Sequence, residues 1–112
     1  MTFPISTFDG HTVVRADGEL DVSTAPRLRQ AITTALDEGS GTVIVDLTTV
    51  TFMDSTTLGV LIGAHNRVRE SASGSLRLVC PEERIRRVFR ITGLDNVFPL
   101  FDTVTDAVNA AE

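Results

Sequence analysis

Apolar positions along the chain switch between strand and helix spacing. Thr12-Val13-Val14-Arg15-Ala16 reads as a strand, with Phe3 to Phe8 as its partner across an Asp9-Gly10 turn. After Gly18-Glu19-Leu20-Asp21, either Ser23 or Thr24 can cap a helix, and Pro26 fits its first turn. Leu28, Ile32, Ala35 and Leu36 then recur at helical spacing until Gly39 and Gly41. Thr42 to Leu47 is a short strand whose Val43-Ile44-Val45 centre lacks polar alternation, as in a strand buried on both faces.

A second helix follows Asp54-Ser55, with Leu58, Leu61, Ile62, His65 and Val68 predicted on one face. Ser71 to Ser75 is a turn and Leu76 to Cys80 a strand. Pro81, Glu82 and Glu83 open a third helix with Ile85, Val88 and Phe89 inward, closed by Thr92-Gly93. Val97 to Phe101 reads as a last short strand, and Val104, Ala107, Val108 and Ala111 line a final helix. Strands alternating with helices predict an α/β fold. Its sheet is mixed but mainly parallel, of about four to five strands with about four helices, beginning in an antiparallel pair. No internal repeat, linker or low-complexity block stands out.

Composition narrows the function. A chain of 112 residues is long enough for one domain with a real core. A net charge of −5 argues against nucleic acid as a direct partner. No apolar run approaches a membrane span, and Met1-Thr2-Phe3-Pro4 lacks the marks of a signal peptide. The single cysteine, Cys80, reads as a small buried hydrophobe, and a reducing cytoplasm is the simplest location. All ten basic residues are arginine, which removes a phosphate-binding Walker lysine and any Schiff-base lysine. His11 and His65 lack ligand-like spacing with Cys80 or each other, so no metal and no cofactor are expected.

The stretch richest in chemistry is Phe52-Met53-Asp54-Ser55-Thr56-Thr57-Leu58-Gly59. It places three hydroxyls behind an acid where a helix begins. The first turn of a helix carries unpaired N–H groups and partial positive charge, so a phosphate there would not disrupt the fold. From spacing alone two readings stand. Asp54 and Ser55 form a helix cap, or they form a modification switch; for Asp54 the two are compatible. Asp21 likewise either caps a helix or touches a partner. Arg84, Arg86, Arg87 and Arg90 form a solvated helix face or a basic binding face. Gly59 and Gly63 read as sites of close helix packing.

These residues carry a family resemblance over nearly the whole chain. Gly18-Glu19-Leu20-Asp21, Val45-Asp46-Leu47, Phe52-Met53-Asp54-Ser55 with Leu58-Gly59, and Ile91-Thr92-Gly93-Leu94 occur in an order that resembles the anti-sigma factor antagonists of the STAS domain family. The resemblance implies a single STAS-like domain over residues 1–112, without enzymatic activity of its own. It implies an anti-sigma factor serine kinase as partner, phosphorylation at Ser55, and a serine phosphatase that reverses it. It extends the expected partner-binding set to Asp21, Asp54, Ser55, Thr56, Thr57 and Gly59. Thr57 stands where the family commonly has glycine; threonine suits a helical first turn but not a positive φ.

Three classes of function follow. The first is a free-standing antagonist that binds the anti-sigma factor while unmodified. The second is a scaffold or sensory STAS module in a larger, nucleotide-responsive assembly. The third is an enzyme with Ser55 as nucleophile and His65 as base. Ten residues of helix put that pair about 15 Å apart, too far for direct proton transfer.

Overall fold

A computed structural model of the chain describes residues 3–38, 42–71 and 74–110. Five strands form one sheet in sequence order: β1 (Ile5–Phe8), β2 (His11–Leu20), β3 (Val43–Met53), β4 (Leu76–Val79) and β5 (Leu100–Phe101). β1 pairs with β2 antiparallel, and the remaining neighbours are parallel. Between them run α1 (Ala25–Glu38), α2 (Ser55–Ser71), α3 (Glu83–Ile91) and one 3-10 turn (Leu94–Asn96), with α4 (Val104–Asn109) last. The mainly parallel α/β sheet matches the expected class. The closing glycines 39 and 41, the centre of the Ser71–Ser75 turn and Ala111 lie outside the described residues.

Local chemistry explains the start. Asp9 and Gly10 both take positive φ, 54° and 82°, the backbone that a two-residue hairpin requires. Phe8 then faces His11 across β1 and β2.

The sheet divides the core. On one side Val14, Ala16, Leu20, Val45, Leu47 and Leu78 pack against Leu28 and Ile32 of α1, Leu58 and Leu61 of α2, and Ile85 and Phe89 of α3. Two edge-on ring contacts extend this layer: Phe89 on Phe98 at 6.2 Å, and Phe98 on His65 at 5.3 Å. On the other side Val13, Ile44 and Val79 meet Ala107 of α4. The buried Arg77 donates to the Ala107 carbonyl at 2.6 Å, fastening that short helix to the sheet. Val43-Ile44-Val45 is buried on both faces, as its unbroken apolar run implied.

β2 and β3 are both much longer than the apolar pattern indicated. The sequence points to Thr12–Ala16, but β2 continues to Leu20. Gly18, with φ of 74°, sits beside one of two register shifts between β2 and β3, where β3 holds the extra residue, Thr51 between Val50 and Phe52. β3 runs on past Leu47 through Thr48-Thr49-Val50-Thr51-Phe52-Met53, whose threonines are β-branched and exposed. The last strand is shorter than the expected Val97–Phe101, because Leu94–Asn96 and the bond from Phe98 N–H to the Leu94 carbonyl, 2.9 Å, hold the chain in a turn.

Cys80 closes β4 completely buried, and burial pushes its thiol up to about 11. The folded protein therefore keeps the thiol neutral where the unfolded chain ionises. This contribution to stability is intact below the ordinary value of 9.0 and is lost as pH rises through about 11. At pH 8, iodoacetamide should label native protein only as fast as the chain opens, and urea should accelerate labelling steeply. Labelling of native protein as fast as a free thiol would place Cys80 at the surface.

Candidate functional site

The parallel register sets the site. Leu20 of β2 lies opposite Met53 of β3, and Asp54 N–H donates to the Leu20 carbonyl at 3.2 Å. Asp21 and Asp54 are thus the next residues off two neighbouring strands, on the same edge of the sheet. Each leads into a helix.

The two turns are built alike. The Asp54 carboxylate accepts from Thr57 N–H at 3.2 Å and from the Thr57 hydroxyl at 3.4 Å. The Asp21 carboxylate accepts from Thr24 N–H at 3.2 Å, with the Thr24 hydroxyl oxygen 3.4 Å away. Strand, Asp-x-x-Thr and helix recur at a spacing of 33 residues (from 21 to 54). Leu28 and Leu61, both fully buried, also correspond. Reading along the chain found no repeat; the signal was present in Asp21-Val22-Ser23-Thr24 and Asp54-Ser55-Thr56-Thr57, with little likeness in the helices that follow.

Asp54 is the N-cap of α2: its side chain holds the N–H three residues on, and its carbonyl accepts from Leu58 N–H at 3.2 Å. Ser55 and Thr56 are exposed in the first turn. Among the described residues nothing engages the Ser55 hydroxyl. Thr57 differs. It is 0% exposed, so its side chain belongs to the core and the cap, not to the exposed surface. Its backbone is not among the positive-φ positions, so threonine fits here without strain. Gly59 is exposed one turn beyond Ser55.

Asp21 does more capping than its partner-binding assignment requires. Besides Thr24, it accepts from the Ser23 hydroxyl at 2.7 Å and Ser23 N–H at 2.9 Å. Those Ser23 bonds hold its carboxyl below the usual carboxylate range. Thr24 directly precedes α1, but its hydroxyl turns back, accepting from Asp21 N–H at 2.8 Å and donating to the Glu19 carbonyl at 3.1 Å.

Three expectations about helix faces change. Ile62, expected inward, is exposed, and Val60 is buried in its place, because α2 packs against α1 as well as the sheet. Gly59 and Gly63 do not serve close packing: a Cβ at either would meet nothing within 4 Å. The arginines of α3 divide. Arg86 is half-buried and donates to Asp102 at 2.8 Å and to the Cys80 carbonyl, Arg90 pairs with Glu83, and Arg84 and Arg87 face outward. Two apolar side chains near the turns escaped the sequence reading. Val22 is 71% exposed at the position equivalent to Ser55, and Phe52 is 48% exposed two residues before Asp54.

The sheet order and the paired turns define the class: a small α/β domain whose exposed hydroxyls and uncovered apolar side chains gather at the ends of two parallel strands. Residues 2–107 match the family model of the STAS domain. The chain belongs to the STAS domain family. The anti-sigma-B factor antagonist of Staphylococcus epidermidis is 37% identical over 91 residues, which is 81% of this chain and 83% of that protein. The crystal structure of an anti-sigma factor antagonist from Mycobacterium paratuberculosis superposes with a TM-score of 0.86 at 33% identity, covering 96% of this chain and 90% of the other. The Bacillus cell fate determinant SpoIIAA in its phosphorylated form superposes with a TM-score of 0.70 at 26% identity, covering 96% and 97%. No described helix is long and apolar enough to cross a membrane.

Capping and surface roles of Asp54 separate by measurement. Asp54→Ala should lower stability by about 1 kcal/mol, the usual cost of losing an N-cap acceptor. Asp54→Asn keeps an acceptor and should recover most of that loss in a urea titration. No loss in either variant would mean that the carboxylate does not hold the helix end.

Proposed function

We propose that this chain is an anti-sigma factor antagonist switched at Ser55. Unmodified, it binds an anti-sigma factor serine kinase in the cytoplasm and so frees a sigma factor. The kinase transfers the γ-phosphoryl group of its ATP to the Ser55 oxygen. ADP leaves, and the phosphorylated chain dissociates until a serine phosphatase restores it. The observation that carries the reading is the division of labour in one helical turn: Asp54 and Thr57 make the cap, and Ser55 is left exposed with a free hydroxyl. The antagonists named among its relatives, and the phosphorylated state of SpoIIAA, support the same assignment.

In this reading Asp21, Asp54, Ser55, Thr56 and Gly59 meet the partner. Thr57 contributes through the Asp54 carboxylate, being itself covered. A neutral hydroxyl is covered by a partner at little cost. A phosphate adds about 1.5 to 2 negative charges beside Asp54. Left uncompensated in an interface, such charge costs about 2–5 kcal/mol. The helix N-terminus offsets about 0.3–1 kcal/mol of that at an exposed site. The net is about 1–4.7 kcal/mol, and since ~1.4 kcal/mol is tenfold in affinity, release by roughly 5- to a few-thousand-fold needs no refolding.

The switch is tested on both sides. Incubated with the kinase and Mg-ATP, the wild type should gain one phosphate that mass spectrometry places on Ser55. Ser55→Ala should stay folded and unmodified. Modification confined to Thr56 would contradict the assignment. In calorimetry against the same anti-sigma factor, Ser55→Ala should bind like the unmodified protein. Ser55→Asp should bind more weakly, and the phosphorylated protein weakest. Equal affinity of phosphorylated and unmodified protein would refute release.

A further inference from the structure

We propose that the groove between α1 and α2 is a second part of the partner-binding face, and that it receives an aliphatic side chain and an adjacent carboxylate of the same anti-sigma factor. This inference rests on the antagonist reading and places affinity away from the phosphorylated turn.

The groove encloses about 250 Å³. Ile32 and Val60 form its buried floor, with Leu36 and Ala64 half-buried beside them. That is room for an aliphatic side chain. Arg67, at the groove, is already paired with Asp37 of α1. Arg29, also lining the groove, is exposed and makes no ion pair among the described residues. An unpaired arginine on a chain of net charge −5 matches a carboxylate brought by a partner.

Gly59 and Gly63 keep the groove open. Glycine is among the least favourable residues within a helix, yet no atom lies within 4 Å of where either Cβ would stand. Internal packing therefore does not account for them. Ser55, Gly59 and Gly63 fall on successive turns of one face of α2, Gly63 about 12 Å beyond Ser55. A kinase that covers Ser55 and extends along α2 reaches the groove in the same approach.

The test uses Gly63→Leu, which fills the groove, Gly63→Ala, and Arg29→Glu. Each is titrated by calorimetry against the purified anti-sigma factor serine kinase with ADP bound, and assayed as a phosphorylation substrate. Gly63→Ala should raise the Tm, since it improves helix propensity without meeting a neighbour. Gly63→Leu should fold and bind about tenfold more weakly or worse, as expected when a buried anchor loses its pocket. Arg29→Glu should weaken binding more at low salt than at high salt. In phosphorylation, KM should rise while kcat is kept, because the groove is remote from the transferred group.

Full-strength binding by Gly63→Leu, alongside loss of binding by Ser55→Asp, would overturn the groove proposal and leave the antagonist reading intact. Failure of the wild type to bind any anti-sigma factor kinase would remove both. A wild-type dimer in sedimentation that Gly63→Leu dissolves, with kinase binding unchanged, would assign the groove to a second copy of the chain and overturn the proposal.

Discussion

The register of β2 against β3 is the constraint on which the site depends. Leu20 opposite Met53, with Asp54 N–H on the Leu20 carbonyl, brings two turns 33 residues apart in sequence to the same edge of the sheet. Both strands continue past bulges to reach that edge. A one-residue slip of β3 would turn each of its side chains to the opposite face and bury what is now exposed. The burial of Leu20 and Met53 therefore fixes where Asp21 and Asp54 stand.

Much of this was legible in sequence because local chemistry and tertiary demand agree. Asp54 marks a helix start in sequence and caps one in the fold, since an acid at the residue before a helix accepts from its free N–H groups. Asp9-Gly10 reads as a tight hairpin for an equally local reason. The uninterrupted Val43-Ile44-Val45 run foretold a strand covered on both sides. Such signals need no knowledge of neighbours.

Other features depend on neighbours, and the sequence pattern misplaced them. Threonines at 48, 49 and 51 lower the apolar signal of β3, yet its pairing with β2 carries it to Met53. The inward arc of α2 is wider than one sheet-facing stripe because α1 covers a second side, so Val60 is buried and Ile62 is not. Thr57 sits among surface hydroxyls in sequence and inside the core in space. Gly59 and Gly63 resemble a packing motif, but the space over them is empty, a distinction that only the placement of α1 reveals.

The separation of the cap from the Ser55 hydroxyl decides what charge added at that hydroxyl would cost the fold. Were Ser55 the N-cap, phosphorylation would load the residue that holds the helix end, and signal and stability would be coupled. Asp54 takes that role and Thr57 completes it from inside, so the bonds that define the turn do not include the Ser55 side chain. Charge added at Ser55 is then felt mainly by whatever lies over the turn. The duplicate turn at Asp21 makes the same point by contrast. Its carboxylate is occupied by the Ser23 hydroxyl as well as by Thr24, and its position equivalent to Ser55 is Val22. One scaffold thus carries two turns of the same build on one edge: one presents an exposed hydroxyl outside the cap's bonds, the other an exposed valine at the same place.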